Sequence, residues 1–202
     1  YYRDDHEPSY EEDVLLEVDD MCTENGLEDI SFKLHKGQIL GFCGLSDSGI
    51  HEIGKAVYGI DKLTKGRVHL NICNIDIKNQ EDSLYNRVGY APKDRDTDAL
   101  MMDAPIWENF TLPSLKEAEG KSKKLNMSKL NHLALDATKE YQVKCRDVYQ
   151  NMRELSGGNK QKVNLGRWLL KDLDVLIVDC PTRGVDVGVK AYLYDCLKKA
   201  KA

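Results

Sequence analysis

The pattern of apolar and polar positions breaks the chain into short segments of differing period. Val14-Leu15-Leu16-Glu17-Val18 starts a strand, and residues 30–34 alternate apolar with polar residues as a second one. His35-Lys36-Gly37 makes a turn. Residues 38–45 (QILGFCGL) then read as a third strand, apolar enough to be central in a sheet. Residues 66–77 alternate like a hairpin arm, residues 83–86 close a short helix, and Val88-Gly89-Tyr90 is a brief strand. Leu130, Leu133, Leu135 and Ala137 predict a helix over about 127–141. A further helix carries Val163, Leu165, Trp168, Leu169 and Leu170. It feeds Val175-Leu176-Ile177-Val178, a run that reads as a strand buried on both faces, as in a parallel sheet. Residues 188–202 form a last helix.

Two glycine turns sit at the joints of this pattern. Leu155-Ser156-Gly157-Gly158-Asn159 opens the helix that precedes residues 175–178. The first turn of a helix carries unpaired N–H groups and a partial positive charge, and glycines let an anion approach the backbone. Ser156 can cap the turn or donate its hydroxyl to the same anion. The strand that follows ends on Asp179, an acid placed to hold Mg²⁺ through water. Gly turn, helix, buried strand and terminal acid point to a phosphate-handling α/β domain.

The other turn is Gly44-Leu45-Ser46-Asp47-Ser48-Gly49-Ile50-His51. It keeps the two glycines of the phosphate-loop pattern G-x-x-x-x-G-K-[S/T], between a strand and a helix. Its chemistry is missing. Ile50 stands at the Lys position and His51 at the Ser/Thr position, so the loop offers neither an ammonium nor a metal-binding hydroxyl. Asp47 adds a negative charge where an anion would sit. Losing one charge-assisted hydrogen bond costs about 1.5–3 kcal/mol before that repulsion is counted.

Composition narrows the class. The 202 residues suffice for one domain with a real core, at 41% hydrophobic and 31% charged residues. No apolar run approaches the ~20 residues of a membrane span, and the polar, acidic start does not resemble a signal peptide. A net charge of −5 does not suggest a nucleic-acid surface. The six cysteines form no C-x-x-C pair and read as free cytosolic thiols.

On these residues the chain resembles ABC-type ATPases. LSGGNKQK is similar to their signature motif, and VLIVD followed by PTRGVD is similar to their Walker B strand and D-loop. The resemblance implies a P-loop NTPase-like ABC ATPase fold: a mostly parallel core sheet (residues 14–102 and 151–202), an antiparallel β arm and a helical subdomain over about 103–150. Residues 1–13 then resemble a linker from a preceding ATPase domain, and the chain stops before the strand of the switch histidine. The groove between the helical subdomain and the core would receive a permease helix, with Ile106, Trp107, Phe110 and Leu112 as contacts or as core.

The resemblance also implies roles. The signature serves the ATP of a partner domain, and Asp186 lies in the D-loop that crosses to it. Lys93, in Pro92-Lys93-Asp94-Arg95, stands where a Gln usually contacts Mg²⁺ and the attacking water; related sugar importers carry P-E-D-R here. Cys180 stands at the general-base position, where a neutral thiol cannot replace the Glu. Ile50, His51, Lys93 and Cys180 all damage the site this domain would build for itself, so ATP and Mg²⁺ are weak or absent there. The nearest likeness is the C-terminal ATPase half of a fused ribose/galactose/xylose importer, hydrolysing ATP as part of the whole and inactive as a fragment. Its partners would be the N-terminal ATPase half of the same polypeptide, integral-membrane permease subunits and, indirectly, a sugar-binding protein, with no nucleic acid. It would sit peripherally on the cytoplasmic face of the cell membrane. A nucleoside-importer half, or a non-transport ABC pseudo-ATPase acting as a binding or regulatory module, are the alternatives.

Overall fold

In the computed structural model residues 12–45, 47–119 and 124–200 are described. The chain divides into two compact units, residues 1–88 with 197–202, and residues 89–196. The acidic leader over residues 1–11 lies outside the described residues.

The first unit is built on an antiparallel sheet of order β2-β1-β3-β4. Its strands are β1 (Val14–Thr23), β2 (Ile30–His35), β3 (Leu63–Leu70) and β4 (Ile75–Asp76). β1 lies between β2 and β3, with Val18 opposite Phe32 on one side and Val68 on the other. The period-two pattern is realised in burial: Leu16 and Val18 of β1, and Val68 and Leu70 of β3, are all within 2% of fully buried. The register slips after Asp19, where Asp20 takes a positive φ of 46°. Gly66 (φ 79°) is required opposite this bulge, because a Cβ there would lie 2.3 Å from the carbonyl oxygens of Asp19 and Asp20.

α1 (Ile50–Tyr58) follows, burying Ile53, Ala56, Val57 and Tyr58 on one stripe and ending at Gly59. α2 (Gln80–Tyr85) starts from a full capping box between Asn79 and Asp82, and its Ser83 hydroxyl donates to the Tyr58 carbonyl at 2.9 Å.

Residues 38–45 depart from the sequence reading. They form no strand, and no described strand pairs with them. Ile39 (61%) and Leu45 (83%) stand exposed, while Phe42 packs edge-on against Phe32 at 4.9 Å. Apolar content specifies burial only where neighbours supply a ladder for the backbone amides, and here none of the described strands does.

The second unit runs through β5 (Val88–Ala91), α3 (Arg95–Asp98), α4 (Ile106–Thr111), α5 (Met127–Glu140), α6 (Gly157–Leu169), β6 (Val175–Val178) and α7 (Val187–Ala200). β5 and β6 pair. β5 is buried throughout, whereas β6 is fully buried only at Val175; a strand with one described neighbour cannot be covered as the sequence pattern suggests. The core gathers Ile106, Phe110, Ala134, Ala137, Tyr141, Met152 and Val163. Ile106 and Phe110 are therefore core, Trp107 is partly buried, and Leu112 is 44% exposed. Buried Asn109 is satisfied by its own neighbours: Nδ2 donates to Met101 O and Pro105 O, and Oδ1 accepts from Met101 N.

Tyr141 ties this core to pH. Burial, and then the Glu140 carboxylate, push its phenol well above the ordinary 10.0. Tyr192, on α7, is raised by burial and by its hydrogen bond with Cys196. A phenol whose folded pKa is raised keeps a proton that the unfolded chain loses. The stability it contributes is complete below the unfolded pKa and is lost as pH rises beyond it. The urea midpoint is therefore expected to fall from about pH 10 upward, and Tyr141→Phe to make that fall shallower. An unchanged alkaline slope in the Phe variant would assign the fall elsewhere.

Candidate functional site

The glycine turn of the first unit closes on itself. Gly49 heads α1 in the left-handed region and offers no side-chain cap, so Ile50 and His51 are the first helical residues. The Ser48 hydroxyl, the one oxygen available in the described loop side chains besides the Asp47 carboxylate, donates to the Leu45 carbonyl at 2.7 Å. Gly44 faces that hydroxyl at close range: a Cβ there would sit 2.3 Å from Ser48 Oγ. Leu45 and Asp47 are exposed, and Ser46 lies outside the described residues. The described residues of the turn thus present two glycines, two aliphatic side chains, an imidazole, a carboxylate and a hydroxyl already bonded to Leu45. That donor set does not fit a magnesium triphosphate, which needs a cation for its β- and γ-oxygens and a hydroxyl for the metal.

The second unit holds the other predicted residues. β6 ends at Asp179, whose backbone N–H donates to the Ala91 carbonyl of β5 at 2.9 Å. Cys180 follows with φ 47°, a left-handed conformation uncommon for a residue with a Cβ, and its carbonyl accepts from Arg183 N to close a turn. Desolvation, then the Asp179 carboxylate, push the Cys180 thiol up, while Lys93 and Arg183 act in the opposite direction. At neutral pH this thiol is protonated and carries no base. Asp186 heads α7: its Oδ1 accepts from Val189 N at 2.9 Å, the bond of an N-cap.

The signature turn is assembled from three directions. Leu155 is buried, Ser156 is the N-cap of α6 with extended backbone (φ −64°, ψ 155°), and its side chain makes no capping bond. Instead Ser156 Oγ accepts from Asn159 Nδ2 at 2.9 Å, and Asn159 Oδ1 accepts from Lys144 N at 2.9 Å. This leaves the exposed hydroxyl beside the N–H groups of Gly157 and Gly158, which head a helix and have no acceptor within it. Behind the turn, Gln161 Nε2 donates to the Pro181 carbonyl at 2.8 Å. A Cβ on Gly158 would lie 3.8 Å from the Asp186 carboxylate and 3.1 Å from Val189. The structure therefore brings the signature and Asp186 together, and the bare α-carbons keep the helix end open to an anion.

One cluster was not read from the sequence. Asp94 and Arg95 reach Arg183, and Asp96 reaches Lys160; residues 93–97 with Arg183 and Gly184 line a cavity of about 220 Å³. The partners lie 64 to 89 residues apart in the chain, so no spacing rule could have joined them. Asp186 as a cap was legible: an acid directly before a helical run is an N-terminal signal.

A Gly turn feeding a helix whose N-cap hydroxyl makes no capping bond, beside a strand ending in an acid, defines a nucleotide-handling cassette, and the chain belongs to the ABC transporter family, whose model matches residues 27–183. It is 34% identical over 190 residues to the ribose import ATP-binding protein RbsA of Clostridium tetani, and 38% identical over 190 residues to that of Clostridium perfringens. A putative ribose/galactose/methyl galactoside import ATP-binding protein of Albidiferax ferrireducens is 36% identical over 187 residues. These alignments take in 93–94% of the chain, yet the chain spans only 37–38% of the length of those relatives. In fold it is similar to the dimeric post-hydrolysis structure of the ATP-binding cassette MJ0796 bound to ADP and Pi. The TM-score is 0.79 at 20% identity, over 93% of this chain and 83% of that one. A nucleotide-free ATP-binding cassette superposes with TM-score 0.75 at 19% identity, over 93% and 77%. The fold is thus the P-loop NTPase fold of ABC cassettes. Among the described residues no helix is long and apolar enough to cross a membrane.

Proposed function

We propose that this chain is an ATPase half of an ABC importer for simple sugars, lending its signature to ATP held by another ATPase domain while its own site is degenerate. The observation that carries this reading is the contrast between the two turns. The α6 turn keeps Ser156 exposed and two glycine amides at the head of the helix, where no intrahelical acceptor is available. In the turn at residues 44–51 the Ser48 hydroxyl is spent on the Leu45 carbonyl, and the lysine is lacking. Import of sugars is supported by the names of the relatives, each a ribose or ribose/galactose/methyl galactoside import ATP-binding protein.

In this reading residues 1–13 link to a preceding ATPase domain of the same polypeptide, and residues 103–150 form the helical subdomain that meets the permease. A sugar-binding protein acts at one remove, and the chain sits at the cytoplasmic face of the membrane. The γ-phosphate of the partner's ATP is held by the Ser156 hydroxyl and the first amides of α6, where the helix dipole favours an anion. Asp186 holds α7 by its N-cap bond, which keeps the D-loop beside that phosphate. Asp179 would hold Mg²⁺ only weakly at the chain's own site. Lys93 adds a like charge near the ion, and Cys180 offers no carboxylate to polarise water.

The test separates the two sites. Mg-ATP is expected to bind the chain alone roughly a hundredfold more weakly than a cassette with an intact loop, the loss of one to two charge-assisted bonds. Mixing with the partner ATPase half is expected to produce hydrolysis that neither half shows alone. Hydrolysis by the purified chain alone would overturn the reading.

A further inference from the structure

Three consecutive residues after β5 reach two places in the second unit, the turn after β6 and the first turns of α6. Asp94 pairs with Arg183 Nη1 in the turn after β6. Asp96 accepts from Lys160 Nζ, one turn into α6, at 3.2 Å. Between them Arg95 turns inward, with its side chain 15% exposed, and its Nη1 donates to the Arg183 carbonyl at 3.0 Å. Its Nη2 lies against both glycine turns. Nη2 lies 3.1 Å from where a Cβ of Gly157 would be, and 3.6 Å from that of Gly184. We propose that residues 94–96 are a clasp holding the signature turn against the turn after β6, with Arg95 as its positioning residue; this rests on the function proposed above.

Exposure ranks the three contacts. Arg183 and Asp94 are 51% and 54% exposed, and an ion pair in water at that exposure contributes little. Lys160 is 12% exposed, so its pairing with Asp96 is less screened. Arg95 combines a half-buried guanidinium, a bond to a backbone carbonyl and contact with both glycine turns. A guanidinium is a flat fork with fixed donors, whereas an ammonium is a point charge that satisfies one direction at a time. Lysine therefore cannot bond the Arg183 carbonyl and also fill the gap between Gly157 and Gly184. Gly157 gains a second reason to be glycine: a Cβ there would press on the guanidinium at 3.1 Å as well as obstruct an anion.

The clasp places the loop that carries Lys93 in direct mechanical contact with the signature turn. The loop after β5 is then a lever on phosphate binding at α6. It acts by fixing where the Gly157 and Gly158 amides point, without itself touching the phosphate.

Amide hydrogen exchange on the whole chain tests the clasp without any nucleotide. Arg95→Ala is expected to speed exchange at residues 157–159 and 182–185 by about tenfold, the loss of one charge-assisted bond, while β6 and the rest of α6 stay protected. Arg95→Lys is expected to recover little of that protection, and Asp94→Ala to leave it nearly unchanged. Exchange that changes only within residues 92–98, or full recovery with lysine, would overturn the proposal. Mixed with the partner ATPase half, Arg95→Ala is expected to lower kcat by about tenfold with KM for ATP unchanged, since the partner's site binds the nucleotide. A raised KM with unchanged kcat would also overturn it. If the wild-type chain elicits no hydrolysis from the partner, the proposed function fails, and the exchange result still decides the clasp.

Discussion

Ser156→Arg is expected to abolish the ATP hydrolysis that this chain elicits from a partner ATPase half, lowering kcat by at least about a hundredfold, as loss of a preorganised anion donor does elsewhere. Ser156 is exposed and makes no capping bond; among the described residues its oxygen accepts from Asn159 Nδ2. The substitution therefore removes little from the fold. The cap of α6 is already unused, and loss of a single exposed hydrogen bond contributes at most about 1 kcal/mol. The arginine side chain would instead fill the opening above the Gly157 and Gly158 amides, where an incoming phosphate must come within hydrogen-bond distance of the backbone. Circular dichroism and the urea midpoint should be nearly those of the wild type. Retained hydrolysis in the mixture would mean that the α6 turn does not serve the partner's nucleotide.

Phe110→Ala is expected to have the largest effect on stability, about 3–5 kcal/mol. Phe110 is fully buried and stacks on Tyr141 with ring centroids 6.4 Å apart. It also underlies Gly166, where even a methyl group would meet the Phe110 and Tyr141 rings at 3.0 Å and 2.8 Å. α6 therefore rests directly on these aromatic rings, and a vacancy at 110 removes the floor under the helix that carries the signature. Such a loss is a large share of the 5–15 kcal/mol typical of a folded domain. The measurement is the urea midpoint, with Phe110→Leu expected to lose about half as much because it refills part of the volume. A loss below about 1 kcal/mol for the Ala variant would mean that Phe110 is not in a rigid core.

Much of the fold was legible because the elements are locally determined. The period-two runs became β1, β2 and β3, and the apolar spacing over 127–141 became α5, within one residue of its end. The signature helix begins at the glycine turn, where Ser156 has extended backbone and makes no capping bond, because α6 has an apolar stripe to bury. Residues 38–45 were misread for a physical reason: apolar content marks a segment that can be covered, and only pairing partners make it a strand. The candidate groove residues were settled the same way. Ile106 and Phe110 are buried by α5 and α6 neighbours that no local pattern names.

What the sequence alone determined is the inventory of chemistry. It shows the run Leu155–Asn159, a glycine turn with Ile50 and His51 where the phosphate-loop pattern has a lysine and a hydroxyl, and a thiol directly after Asp179, because missing functional groups are missing in every fold. What the tertiary structure decided is direction. It turned the Ser48 hydroxyl onto Leu45, set Cys180 at a positive φ, and gave Asp186 to the start of α7. It also closed residues 94–96 onto side chains and a carbonyl 64 to 89 positions away. Direction is a property of packing, and packing joins residues whose separation in sequence carries no periodic signal.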